Sequence, residues 1–366
     1  MFEAAGSAKA AGSAKAAPTE GLVVRTVLGD VAAGSLGSTL IHEHLLIDNP
    51  SFVEPSDPAE RVRAHEPVGL ANLGWLHRHW TSNADNLVLD DEAMAVRELA
   101  GFAQTGGRTI VDATVPGIGR DPLALRRIAQ GAGVQIVMGS GAYVGPTHPP
   151  EIRDLDAVGL ADRLVEEWHQ GVDGTGIRPG FFGEIGCSWP IQDRERTVVA
   201  AAGRAQRATG AALMIHPGRN RAAPSEIISI LETADANLER VVIAHLDRTI
   251  TDTPGLLELA ATGVYLEFDC FGLETSYYPF DPQMAVLSDA QRLGLVRDLI
   301  DAGLLDRILL AHDICTKHRL SAFGGHGYGH LFGEVVPWMW QRGFSPAETT
   351  AIFVTNPARL LGVPRT

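Results

Sequence analysis

Six side chains with metal-ligand chemistry stand at the ends of five short apolar runs. They are His42 and His44 in TLIHEH, Glu184 in PGFFGEIG, His216 in AALMIHPG, His245 in VVIAHLDR and Asp313 in ILLAHDIC. Imidazole nitrogen with carboxylate oxygen is the borderline-hard donor mixture that Zn²⁺, Mn²⁺ and Co²⁺ accept. Residues i and i+2 of a strand face the same side, so His42 and His44 can clasp one ion while Glu43 points away and serves the structure. Asp313 completes that ion's ligand set and can also hold a proton. His216 and His245 supply neutral imidazoles to a second ion, and Glu184 bridges the two with its separate oxygens. Two ions roughly 3.5–4 Å apart make water acidic enough to yield hydroxide near neutral pH. Six unconnected buried polar groups would each need a partner of their own. The pattern therefore predicts a two-metal hydrolytic site.

Such a site needs elements that deliver their ends to one place. Eight strand-length runs are legible: Ser38–His42, Arg108–Ala113, Val134–Gly139, Gly180–Ile185, Ala211–His216, Arg240–His245, Gly263–Phe268 and Arg307–His312. Helical periodicity fills the gaps between them, as in Asp90–Gln104, with acids in its first turn. Eight βα units in a row predict an α/β fold, a single (β/α)8 TIM barrel occupying residues 21–366. An open doubly wound sheet is disfavoured, because strands one, four, five, six and eight reach one site only in a closed ring. Active sites of such barrels sit at the C-terminal ends of the strands, where every candidate ligand lies. The long stretch 49–89 carries a second His-x-His, His77 and His79 in WLHRHW. No apolar strand precedes it, so a half-buried surface helix is the better expectation, with a part in a lid over the pocket as the alternative.

Acidic residues number 44 against 30 basic ones, a formal net charge of −14. That excludes nucleic acid and anionic membrane surfaces as expected partners. It leaves room for an anionic small substrate, since a metal pair and one or two placed cations dominate the field inside a pocket. Cys187, Cys270 and Cys315 form no CxxC, which is the usage of a reduced, cytoplasmic protein without structural disulfides. No apolar stretch approaches ~18 residues, so none is expected to span a membrane. Residues 1–20, where AAGSAKA occurs twice, read as a flexible low-complexity leader.

The motifs IHEHLL, GGRTIVDAT with GIGRDP, VMGSGAYV with HPPEI, GEIG, AHDICTKHRL and GGHGYGH, together with the paired strand-end His216 and His245, run from about Gly21 to Leu361. On these the chain resembles the phosphotriesterase-related group of the amidohydrolase superfamily. The resemblance implies a binuclear-metal (β/α)8 hydrolase, with a homodimer as the expected assembly. Phosphotriesterases and related lactonases bridge their metals with a carboxylated lysine on strand four. Glu184 stands there instead, as in the phosphotriesterase homology subgroup, and this implies weak or absent phosphotriesterase activity.

The expected reaction is attack of a metal-bridging hydroxide on a carboxylic ester, lactone or amide carbonyl, with Asp313 as proton shuttle. Two divalent ions per chain, Zn²⁺ first among them, are the expected cofactors. Competing readings are organophosphate triester hydrolysis, a metal-binding barrel with little turnover, and a metal-dependent lyase or isomerase. Arg248 either clamps a substrate carboxylate or sulfonate or pairs with Asp247. Tyr143 either donates to an oxyanion or packs at the rim. Lys317 reads as structural, and His326 and His330 either reach the pocket or stabilise their loop.

Overall fold

A computed structural model describes residues 19–275, 277–281 and 284–365. The expected leader lies outside the described residues apart from Thr19 and Glu20. The eight barrel strands are β1 (Thr39–Glu43), β2 (Thr109–Asp112), β3 (Gln135–Ser140), β4 (Phe181–Gly186), β5 (Ala212–His216), β6 (Val241–Ile243), β7 (Tyr265–Phe268) and β8 (Ile308–Leu310). They are hydrogen-bonded in sequence order, every pair parallel. The ring closes through loops at its C-terminal end. Asp313 N donates to the His42 carbonyl at 3.1 Å. Glu43 Oε1 accepts from His312 N (2.9 Å) and His312 Nδ1 (2.7 Å), and Oε2 accepts from Ile314 N (2.9 Å). Glu43 is thus the structural residue expected of it, a latch across the seam between β1 and β8.

Helices α1 (Glu92–Gln104), α2 (Pro122–Ala132), α3 (Ala157–Gln170), α4 (Asp193–Thr209), α5 (Ala223–Thr233), α6 (Thr253–Ala260) and α7 (Asp289–Asp301) follow β1 and the next six strands. Aspartate caps begin four of them: Asp91, Asp121, Asp156 and Asp252 each accept a backbone N–H of the first turn. Such a carboxylate satisfies an orphan donor and meets the positive end of the helix dipole. Helical turns from Pro346 to Leu361 cover β8.

The core has two compartments. One, between strands and helices, includes Leu40, Phe182 and Ile215 from the sheet with Leu99, Ile128 and Val198 from helices. The other includes Ile41, Val111, Phe181, Met214 and Leu309, the opposite faces of the same strands. This inner set fills the barrel and floors the site. An antiparallel hairpin, Leu22–Thr26 with Gly29–Ala32, pairs with Val363–Pro364 and was not foreseen. Its Val24 packs with that inner set.

Candidate metal centre

Plain alternation does not bring all six residues together. In β1 the side facing the helices carries Leu40, so a regular strand would send His42 the same way. The register slips between Leu40 and Glu43. In β4 Phe181 faces in and Phe182 out, and a second slip lies between Phe182 and Ile185. A bulge adds one residue and re-aims the side chains beyond it, which turns His42 and Glu184 toward the other ligands. Gly183, at φ 138, allows this, because a Cβ there would lie 2.7 Å from the Met214 carbonyl oxygen. On β6 and β8 the backbone turns inward through left-handed residues, His245 at φ 55 and Asp313 at φ 53. Non-glycine residues bear a cost in that region, of order 1 kcal/mol, and tend to sit where function requires them. His216 needs no such device, being in phase with Ala212 and Met214 on β5.

The six side chains converge. Glu184 lies at the centre: Oε2 is 3.5 Å from His42 Nε2, 3.0 Å from His216 Nδ1 and 3.7 Å from His245 Nε2, while Oε1 is 3.4 Å from His44 Nε2. Asp313 Oδ1 is 3.3 Å from His44 Nε2 and 4.0 Å from His42 Nε2. The donor atoms of His42, His44 and Asp313 lie within 4.8 Å of one another, and so do those of His42, Glu184 and His245. Five of the six residues are fully buried, and Asp313 keeps 23% of its side chain open to the cavity.

Neighbours fix which nitrogen two of the rings offer. Thr114 Oγ1 donates to the Leu46 carbonyl at 3.0 Å, so it accepts from His44 Nδ1–H at 2.9 Å and leaves the Nε2 lone pair for the site. Asp269 Oδ1 takes His245 Nδ1–H at 2.8 Å, and its Oδ2 takes the His245 backbone N–H at 2.8 Å. Such carboxylate–histidine pairs orient a ligand and raise its basicity. His42 Nδ1 lies 3.2 Å from Glu267 Oε1, out of hydrogen-bonding alignment, and its buried Nε2 has no hydrogen-bond partner. A buried ring nitrogen with no hydrogen-bond partner, set among carboxylates and imidazoles, is costly unless a proton or a metal cation meets it. The donor set therefore fits a pair of divalent ions.

The ionisation pattern is that of a tightly packed acid–imidazole cluster: against the penalty of burial, Glu267 and Glu184 raise His42, Asp313 and Glu184 raise His44 to about 9, and Asp269 raises His245. Burial would raise Glu184, but the imidazoles of His216, His245, His42 and His44 packed around it outweigh that and hold the carboxyl well below the usual range. Asp313 is held low against the same burial penalty, by the His44 hydrogen bond and the neighbouring imidazoles. Burial, reinforced by the charge of His245, pushes His216 well below an ordinary histidine. Each carboxylate is thus available as an anion and His216 as a neutral ligand.

The site opens into a cavity whose wall includes Tyr143, Arg219, Arg248, Tyr278, Phe280 and Trp80. Tyr143 Oη lies 3.4 Å from His216 Nε2, and burial with the charges of Glu184 and Asp313 raises its pKa well above the ordinary range. Arg248 is buried and donates to His216 Nε2 at 3.1 Å. The expected alternative partner, Asp247, is taken by Arg292 at 2.8 Å instead. Lys317 pairs with Asp85 at 2.6 Å, as a structural residue would. His330 binds Asp289 at 2.9 Å, and His326 packs against the rings of His312 and His330; neither lines the cavity. In the loop after β1, His77 and His79 lie on the helix Leu70–His79, whose Trp75 and Leu76 are buried. Neither histidine joins a group of converging ligand atoms among the described residues. Sequence reasoning missed Asp269, although FDC follows β7 in the same strand-end pattern as the ligands. It also missed Arg219, whose only signal was its place three residues after His216. The three cysteines are free thiols, and no described helix is long and apolar enough to cross a membrane.

The profile of the Phosphotriesterase family matches residues 22–361. An N-acetyltaurine hydrolase of Mus musculus is 44% identical over 339 residues, spanning 92% of this chain and 97% of the relative. Among solved structures, a resiniferatoxin-binding protein from Rhodobacter sphaeroides is 37% identical with a TM-score of 0.89, covering 93% of this chain and 94% of the other. A lactonase from Listeria monocytogenes is 26% identical with a TM-score of 0.75, covering 94% and 100%. The chain belongs to the phosphotriesterase family.

Proposed function

We propose that this chain is a binuclear-metal amide hydrolase acting on small N-acyl amines that carry an anionic group, N-acetyltaurine being the leading candidate. In this reading His42, His44 and Asp313 would hold one divalent ion and His216 and His245 the other, with Glu184 available to either. The observation that carries it is the buried, unpartnered His42 Nε2 facing the Glu184 carboxylate among three further imidazoles. Imidazole and carboxylate in this ratio favour Zn²⁺, with Mn²⁺ or Co²⁺ as substitutes. When bound, such ions supply Lewis acidity for the carbonyl and lower the pKa of a water to near neutrality.

The chain's own residues do the rest. Asp313, the most exposed of the six, accepts the proton released by the attacking water. It then delivers that proton to the leaving nitrogen, so that amide and water become carboxylate and amine. Tyr143 stays protonated and donates to the oxygen that gains charge in the transition state. Arg248 faces the substrate's anionic group with no carboxylate in direct ion-pair contact among the described residues. Support for an amide substrate comes from the N-acetyltaurine hydrolase relatives, which are far more similar to this chain than the lactonase is.

A panel of N-acetyltaurine, N-acyl amino acids, lactones, aryl esters and a phosphotriester tests the reading, each assayed with and without chelator. Chelator-sensitive release of acetate and taurine as the fastest reaction supports it. Faster turnover of lactones or of the phosphotriester overturns it.

A further inference from the structure

The cavity wall is cationic although the chain is acidic. Of the described residues lining it, the carboxylates are Glu184 and Asp313, both claimed by the metal centre, against three arginines: Arg219, Arg248 and Arg319. Arg319 is fully engaged as a brace, donating to the carbonyls of Asp313, His312 and Phe271 and, through Nε, to His326 Nε2. Neither of the other two has a carboxylate within ion-pair distance among the described residues. Arg248 has only its 3.1 Å contact to His216 and two 3.4 Å contacts to the Pro217 carbonyl.

Arg219 is aimed by aromatic residues rather than by an acid. It follows β5 three residues after His216, and its Nε donates to Tyr278 Oη at 2.7 Å. Its guanidinium lies 3.8 Å over the ring of Phe280, which meets Trp80 edge-on at 5.5 Å. Arg248 reaches the Pro217 carbonyl, two residues before Arg219 on the same loop, and both arginines line the cavity with Tyr143 and Tyr278, so they stand at the same end of it. Stacking on an aromatic face with Nε tied down leaves the outer edge of a guanidinium as a preorganised fork for a planar or tetrahedral oxyanion.

We propose that Arg219 and Arg248 form a two-guanidinium seat for the terminal sulfonate or carboxylate of the substrate, with Arg219 as the residue that sets specificity for that anion. This deepens the amide-hydrolase reading and rests on it for the identity of the substrate. The anionic end lies on the β5–β6 side of the cavity. Tyr278 and Phe280, on the segment after β7, position Arg219, and Trp80 from the loop after β1 backs Phe280. Two loops distant in sequence thus shape one charge-reading corner.

The test compares N-acetyltaurine with its uncharged analogue N-(2-methylsulfonylethyl)acetamide, which keeps the amide and the chain length but lacks the charge. Arg219→Met should raise KM for N-acetyltaurine about 10- to 100-fold, the worth of a charge-assisted hydrogen-bonded contact. It should leave kcat within a few-fold and should cost N-acetyltaurine at least tenfold more than it costs the sulfone. Tyr278→Phe should act in the same direction by a few-fold, and Arg219→Lys should lie between wild type and Met. Titration of N-acetyltaurine into Asp313→Asn protein, with and without Arg219→Met, reads the same contact as binding alone; a matching loss supports the seat. Equal losses for both compounds, or a fall in kcat with KM unchanged, would overturn it. If wild type hydrolyses no N-acyl sulfonate yet binds one in an Arg219-dependent way, the seat stands and the reaction assignment falls.

Discussion

His216 Nδ1 and His245 Nε2 stand 2.7 Å apart, and both face Glu184 Oε2, at 3.0 and 3.7 Å. Asp269 holds the proton of His245 on Nδ1, so the Nε2 that meets His216 presents a lone pair. Two imidazoles and a carboxylate oxygen thus converge on one point, the arrangement a divalent ion would need.

Asp269→Asn keeps the shape but replaces an anionic acceptor by an amide. Metal affinity should fall about 10- to 100-fold, the usual consequence of losing a ligand's orienting carboxylate. Competition with a chromogenic chelator measures it; affinity within twofold of wild type would remove Asp269 from the centre.

Asp313→Asn should retain most of the metal and lose about 10²- to 10⁴-fold in kcat, the range for a removed general acid–base. Single-substrate kinetics on metal-replete protein decide it. A variant with near-wild-type turnover would assign the proton transfer elsewhere.

The seam prediction concerns stability rather than catalysis. Glu43→Ala leaves three buried N–H groups, on His312 and Ile314, without their acceptor. With a net penalty of ~1–3 kcal/mol per unsatisfied buried donor, the barrel should lose about 3 kcal/mol or more. Urea unfolding in excess chelator isolates the effect from metal loss, and a change under ~1 kcal/mol would show that the latch is idle.

His318 gives a pH dependence. Burial first, then the charges of Arg319 and His77, depress it from 6.5 to about 3, so it stays neutral while the unfolded chain protonates. The unfolded state binds the extra proton, so stability contributed by this group is present above pH 6.5 and is lost as pH falls toward 3. Replacing His318 with Gln should flatten the decline between about pH 6 and pH 4 by up to about 1.4 kcal/mol per unit. Parallel slopes for the two proteins in denaturant titrations would contradict it.

The eight strands and the convergence of their ends were legible because buried parallel strands are short apolar runs, and chemistry at their C-terminal ends interrupts the pattern with polar residues. His216 could be aimed correctly from alternation alone. The slips in β1 and β4 and the left-handed turns at His245 and Asp313 leave no mark in a period-two pattern, although they aim four of the six residues. Asp269 was missed because strand seven carries no ligand of its own, and its partner His245 comes from a different strand. Arg219 was illegible for a related reason: its role depends on Tyr278 and Phe280, about sixty residues further on. The hairpin at Leu22–Thr26 went unread because its third strand, Val363–Pro364, lies at the other end of the chain.

The metal centre is tested most directly by counting ions. Elemental mass spectrometry on protein purified without chelator or added metal should give close to two divalent ions per chain, mostly zinc. The Glu184→Ala variant, which loses the carboxylate nearest to His42, His44, His216 and His245, should hold one or none. Wild-type protein that carries no metal and takes up none on titration with Zn²⁺, Mn²⁺ or Co²⁺ would contradict the binuclear assignment.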